Sequence, residues 1–216
     1  MQHNRKMRYT SAFLILGIAT LVLVILNGCI GTVEIPFRDI LKSIGGYSVE
    51  NERILWDIRM PRTLAALLLG GALGLAGYLL QTFFHNPIAG PFVLGISSGA
   101  KMVVALVMVF LMGNAIRVSS AALIAAAFVG AMLSMGFVLA VSHKVHHMAM
   151  LVVSGVMIGY ICSAVTDFLV TFAEDSDIVN LHNWSKGSFS GITWENVKTI
   201  VFVVAVTGIL TFFLSK

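Results

Sequence analysis

Charged residues in this chain gather in short clusters separated by long uncharged runs. None lies between Arg8 and Glu34, Arg62 and Lys101, Arg117 and Lys144, Lys144 and Asp167, or Lys198 and Lys216. About 20 apolar residues cross the hydrocarbon core of a bilayer. Within the runs the apolar positions form blocks, without the half-polar periodicity of a soluble amphipathic helix. The pattern predicts six transmembrane helices, near residues 10–30, 62–82, 93–112, 118–141, 148–171 and 194–214. The expected fold is therefore all-α, a polytopic membrane helix bundle forming one transmembrane domain over residues 1–216.

The polar connections orient the spans. Arg5, Lys6 and Arg8 precede the first span without an acid, and the 142–147 connection carries Lys144 with three histidines. The positive-inside bias places both in the cytoplasm. Segments 31–61 and 172–193 then fall outside, with acids such as Glu34, Glu50, Glu174, Asp175 and Asp177. Six spans return the C-terminus to the cytoplasm. Between the second and third spans, Thr82 to Pro91 contains two prolines and a glycine. It predicts a cytoplasmic turn or a partly inserted segment buried by neighbouring helices, since freed backbone groups need partners.

Composition narrows the function classes. Hydrophobic residues make up 58% and charged residues 11%, with a mean hydropathy of +0.93, outside the range of soluble domains. The net charge of +4 is scattered between apolar blocks and forms no basic stripe, so no nucleic-acid partner is expected. Cys29 and Cys162, the two cysteines, both fall in apolar blocks, which supports neither a disulfide framework nor a thiolate metal site. Leu26-Asn27-Gly28-Cys29 after a basic start imitates a lipoprotein signal, but five more spans follow it.

Several motifs carry chemistry only in contexts this sequence lacks. Gly95-Ile96-Ser97-Ser98-Gly99 matches the nucleophile elbow of hydrolases, yet no strand precedes it. Small residues opening a membrane helix for close packing or a pore lining explain it better. His143, His146 and His147 have a metal-ligand look, but no nearby carboxylate closes a site. Neither a catalytic nor a metal site, and no cofactor, is expected. Gly70 with Gly74 and Gly155 with Gly159 are small-xxx-small pairs that let helix backbones approach closely. Lys101 and Asp167 lie near the bilayer, where charges serve a pathway, snorkel or sit at an interface. Arg53, Arg59 and Arg62 precede or enter the second span on the expected outer side. They suit charge-assisted bonds to carboxylates of an external partner or to Asp57 and Glu52 of this chain.

Taken in order, Arg59-Met60-Pro61-Arg62, the Gly70–Gly77 stretch, Gln81, Asn86-Pro87-Ile88-Ala89, Gly95-Ile96-Ser97-Ser98-Gly99 and Asn183-Trp184-Ser185-Lys186-Gly187-Ser188 resemble the FecCD/BtuC-type ABC permease family. The resemblance runs from about residue 30 to the end, and fits that family better than manganese or zinc ABC permeases. It implies a permease subunit, not an enzyme, in the cell membrane of a bacterium or archaeon, importing iron chelates such as ferric siderophores or haem, or cobalamin. The implied partners are a second permease subunit, a homodimer mate or a paralogue, a cytoplasmic ABC ATPase, and an extracytoplasmic substrate-binding protein. It also implies roles: Arg59 and Arg62 receive the binding protein, His147, Met148 and Ala149 form the cytoplasmic gate, and Ser154, Cys162, Thr166 and Asp167 line the pathway. Family members continue past the sixth helix into an ATPase-coupling loop and further helices. The sequence ends at Lys216, so it is expected to be a shortened permease.

Overall fold

The computed structural model describes residues 2–112, 119–142, 144 and 148–214, and these are all helix and connections, with no strand among them. The helices are α1 (Gln2–Cys29), α2 (Phe37–Ile44), α3 (Met60–Phe83), α4 (Ile96–Val107), α5 (Ser120–Ser142), α6 (Met148–Val170), α7 (Asp175–Lys186) and α8 (Trp194–Leu214). π-helical turns at Ile54–Arg59 and Met108–Met112 precede α3 and extend α4.

Among the described residues, five helical stretches are long and apolar enough to cross a membrane: Lys6–Cys29, Ile54–Phe83, Ala121–Val141, Met150–Val170 and Trp194–Leu214. The third expected span is shorter. It starts at Ile96 and not at residue 93, because Gly95 takes a left-handed φ of 71° that side chains resist. Ile96 to Met112 spans about 25 Å, less than a full hydrocarbon core.

The second span is helical from Ile54, eight residues before the expected start at 62. Its charges interrupt the apolar run, while Pro61 reads as a first-turn residue. In the structure Pro61 is fully buried within the helix. It has no N–H to close an α turn on the carbonyl of Asp57, and the backbone just before it winds as a wider π turn. Two short helices in the connections, α2 and α7, were not expected. Each presents a buried spot, Ile40 and Ser43 in α2 and Asp177 and Leu181 in α7.

The described chain divides into two compact units, residues 1–71 with 189–216 and residues 72–188. In the first, Ile35, Ile40 and Leu55 form a small core joined by Cys29, Trp56 and Met60. Trp56 Nε1 donates to Ser43 Oγ at 2.7 Å, tying the π turn to α2.

The second unit has two cores: Phe84, Ala89, Leu94, Val138 and Leu151, and Val104, Ala105, Met108, Ala126 and Leu181. Phe84 and Ala89 come from the proline-bearing 82–91 stretch, which is anchored by these two buried side chains while Phe83, His85, Pro87 and Ile88 are exposed. Its path is set locally. His85 adopts a φ of 48°, Asn86 N–H reaches back to the Gln81 carbonyl at 3.0 Å, and Asn86 Oδ1 accepts from Ile88 N–H at 2.9 Å, an Asx turn before the strand-like restriction Pro87 imposes.

Candidate functional site

The two arginines expected to meet an external partner are both engaged internally. Arg59 is 8% exposed. Its Nη1 donates to the Gly28 carbonyl at 2.5 Å and its Nη2 to the Val33 carbonyl. Gly28 lies in the last turn of α1, whose final four carbonyls lack helical partners and whose last turn has no basic residue of its own. Arg59 therefore supplies, from 31 positions away, the positive C-terminal cap that α1 lacks. Gly31 passes so close that a Cβ there would lie 2.5 Å from Nη2.

Arg62 is partly exposed. Its Nη2 donates to the Ser190 carbonyl at 2.5 Å, while its Nε is buried with no partner among the described residues. Neither arginine pairs with Asp57 or Glu52, since the two ion pairs among the described residues are Lys42–Asp39 and Lys198–Glu195. A cavity of about 560 Å³ opens beside both arginines, walled also by Asn27, Ile30, Gly31 and Phe189. Thr63 Oγ1 lies within donating distance of both Asn27 Oδ1 and the Arg59 carbonyl, each at 2.9 Å. The receptors for both arginines were backbone carbonyls, which no sequence pattern marks.

The Gly95–Gly99 motif opens α4 and serves backbone contact. A Cβ on Gly95 would lie 2.7 Å from the Gly155 carbonyl of α6, and one on Gly99 would lie 2.7 Å from the Gly130 carbonyl of α5. Ser134 Oγ donates to the Gly95 carbonyl at 2.9 Å in a buried contact. The expected close approach at Gly155 is thus present, to the Leu94–Gly95 backbone. Gly70 and Gly74 differ: no described residue lies within 4 Å of a Cβ on either. Gly130 and Ser134 were not singled out in the sequence, although their four-residue spacing is the same small-residue signal. Between these glycines Ser97 is exposed and Ser98 partly exposed. Gln81 and Pro87 are exposed, and Asn86 is partly so.

On α6 the expected pathway residues divide. Cys162 and Thr166 are 3% and 2% exposed, in the packed face, and Thr166 Oγ1 donates to the Cys162 carbonyl at 2.8 Å. Ser154 is partly exposed, its hydroxyl bonded to the Met150 carbonyl at 2.8 Å, and Asp167 is exposed. Ser163, Gly159 and Tyr160 instead line a cavity of about 350 Å³ with Phe92, Gly95 and Ser98. His147, with His143 and His146, lies outside the described residues. Of Met148 and Ala149 only the backbone at the start of α6 is described.

Helices of bilayer length, with exposed apolar surfaces and backbone-to-backbone glycine crossings, define a multi-pass protein of the cell membrane. The chain matches the FecCD transport family over residues 19–216 and belongs to it. It is 32% identical to the vitamin B12 import system permease protein BtuC of Citrobacter koseri over 95% of its own length and 59% of that protein. The corresponding Klebsiella pneumoniae protein is 33% identical, with the same coverage. The chain thus spans about three fifths of the length of the curated relatives it matches. A solved ABC transporter described as of metal-chelate type, in an inward-facing conformation, superposes with a TM-score of 0.74. It shares 22% identity, over 96% of this chain and 63% of that one.

Proposed function

We propose that this chain forms the membrane-spanning part of a permease subunit in a binding-protein-dependent ABC importer. The cargo is an iron chelate, such as a ferric siderophore or haem, or cobalamin, moved inward by alternating access. The observation that carries the reading is the family match over nearly the whole chain, supported by relatives named as permeases of vitamin B12 import. The fold suits this task. The described residues offer helices that cross one another at bare backbone, and rigid packed helices with two arrangements of similar free energy can switch access without chemistry on the cargo.

In this reading a second permease subunit, a cytoplasmic ATPase and an extracytoplasmic binding protein complete the machine, and ATP is hydrolysed by the ATPase. The N-terminus is cytoplasmic, so the Arg59–Arg62 region faces outward. Arg62, partly exposed where Arg59 is buried, is the arginine available to a docking carboxylate. Arg59 acts behind it by fixing the 28–33 loop. The test is ATP-dependent uptake into proteoliposomes by the gene's complete product assembled with its ATPase and binding protein, across ferric siderophores, haem and cobalamin. Uptake of one cargo supports the reading, and no uptake by an assembled complex overturns it.

A further inference from the structure

The second unit holds a cavity of about 530 Å³ between the start of α4, α6 and the end of α7, walled among others by Phe92, Ser98, Lys101, Ser163, Trp184 and Lys186. No acid lines it. Lys101 sits in the second turn of α4, inside an apolar stretch where a charge is costly. Lys186 is brought in by the last turn of α7, where a cation suits the helix dipole. Both ion pairs among the described residues lie elsewhere, so two ammonium groups share one cavity with no carboxylate to balance them.

The hydroxyls around them are also unspent. Ser134, Ser154 and Thr166 each bond a backbone carbonyl. The hydroxyls of Ser98 and Ser163 make no such bond among the described residues. An anion in a cavity lined by two cations gains attraction from both. The cavity has the size of a small-molecule site, and Trp184 and Phe92 give it apolar walls for the body of a ligand.

We propose that this cavity is a binding subsite for an anionic metal chelate, with Lys101 and Lys186 receiving carboxylates and Ser98 and Ser163 donating to them. The inference rests on the importer reading and narrows its cargo to carboxylate-bearing chelates.

The test uses the complete importer in phosphatidylcholine proteoliposomes, with haem and ferric citrate as anionic probes and a neutral ferric trihydroxamate and cobalamin as controls. Uptake of an anionic probe is expected, with KM raised about tenfold or more by Lys101→Gln with Lys186→Gln, the range for losing charge-assisted bonds. Lys101→Arg with Lys186→Arg should retain uptake with a near-parental KM. Lys186→Gln alone, at an exposed helix end, gives the same sign of effect without risk to folding. An unchanged KM in the glutamine variants, or transport of only the neutral chelate or cobalamin, overturns the inference and leaves the importer intact. An effect that appears only when phosphatidylglycerol is added assigns the cavity to lipid phosphate and also overturns it. Failure of every chelate to move overturns the importer reading itself.

Discussion

The two units are held by different physics. In the most apolar windows of α1 and α8, 6% of residues are buried, against 22% in α5 and 28% in α6. The first unit is joined through polar contacts near helix ends: Arg59 on the carbonyls of Gly28 and Val33, Trp56 on Ser43, and Trp194 Nε1 on the Trp56 carbonyl at 2.9 Å. The second is joined through its helix bodies, where Gly95, Gly99, Gly130 and Gly155 let main chains touch. Lipid tails are as apolar as leucine, so burial alone does not drive helices together in a bilayer. Close packing and satisfied polar groups do that work, and each unit relies mainly on one of them.

The largest expected effect comes from filling a glycine crossing. In Gly130→Val the new side chain would fall on the Gly99 carbonyl, and a backbone cannot step aside as a side-chain tip can. Overpacking of this kind costs about 3 kcal/mol, a fall of roughly 10 °C in Tm for a chain this size. The two cysteines report the units separately: Cys162 is 3% exposed in the second, and Cys29 is partly buried in the first. With Cys29→Ser as background, heating with a thiol-reactive dye should label Cys162 earlier in Gly130→Val. If Cys29, assayed in Cys162→Ser, moves as far, the two units do not respond independently.

Arg59→Ala should act in the opposite place. It strips two carbonyls and the α1 terminus of their cation, a loss of about 2 kcal/mol. Cys29 should label earlier while Cys162 holds. Equal labelling in variant and parent would mean that the arginine is not a structural clamp and would return it to the role of a free docking group.

Much of this architecture was legible in the sequence, for reasons that differ along the chain. The bilayer imposes a length on apolar runs, so five spans were readable from the charge gaps. The third is recognisable as apolar, but its start depends on a single left-handed glycine. Helices α2 and α7 went unread because an eight- or twelve-residue amphipathic segment leaves no bilayer-length signature. Of the small-residue pairs, Gly155 has a partner backbone and Gly70 has none among the described residues, although spacing alone made them equal. Arg59 and Arg62 were visible as unusual charges, but their partners are carbonyls, which every residue carries. The Lys101 charge was conspicuous, whereas its companion Lys186 lies 85 positions away and joins it only through the fold.

A smaller effect is expected at Ser134→Ala. The change removes one buried hydrogen bond to the Gly95 carbonyl, which still accepts from Gly99 N–H at 2.9 Å. The cost should be about 1 kcal/mol, read at Cys162 and not at Cys29. No shift would mean that the glycine contacts alone hold α4 to α5.

Gly70→Ala should give the smallest change, and its sign is the informative part. No described residue lies within 4 Å of the added methyl, and alanine is favoured over glycine in a helix interior by about 0.5–1 kcal/mol. The isolated chain in detergent should therefore be slightly stabilised, by thermal labelling at Cys29. If the same substitution lowers the melting temperature of the assembled importer, a partner helix covers this face of α3, and the small-residue spacing is used between chains. If the isolated chain itself is destabilised, α3 has an intramolecular neighbour at Gly70, and the sparse packing assigned to the first unit does not hold there.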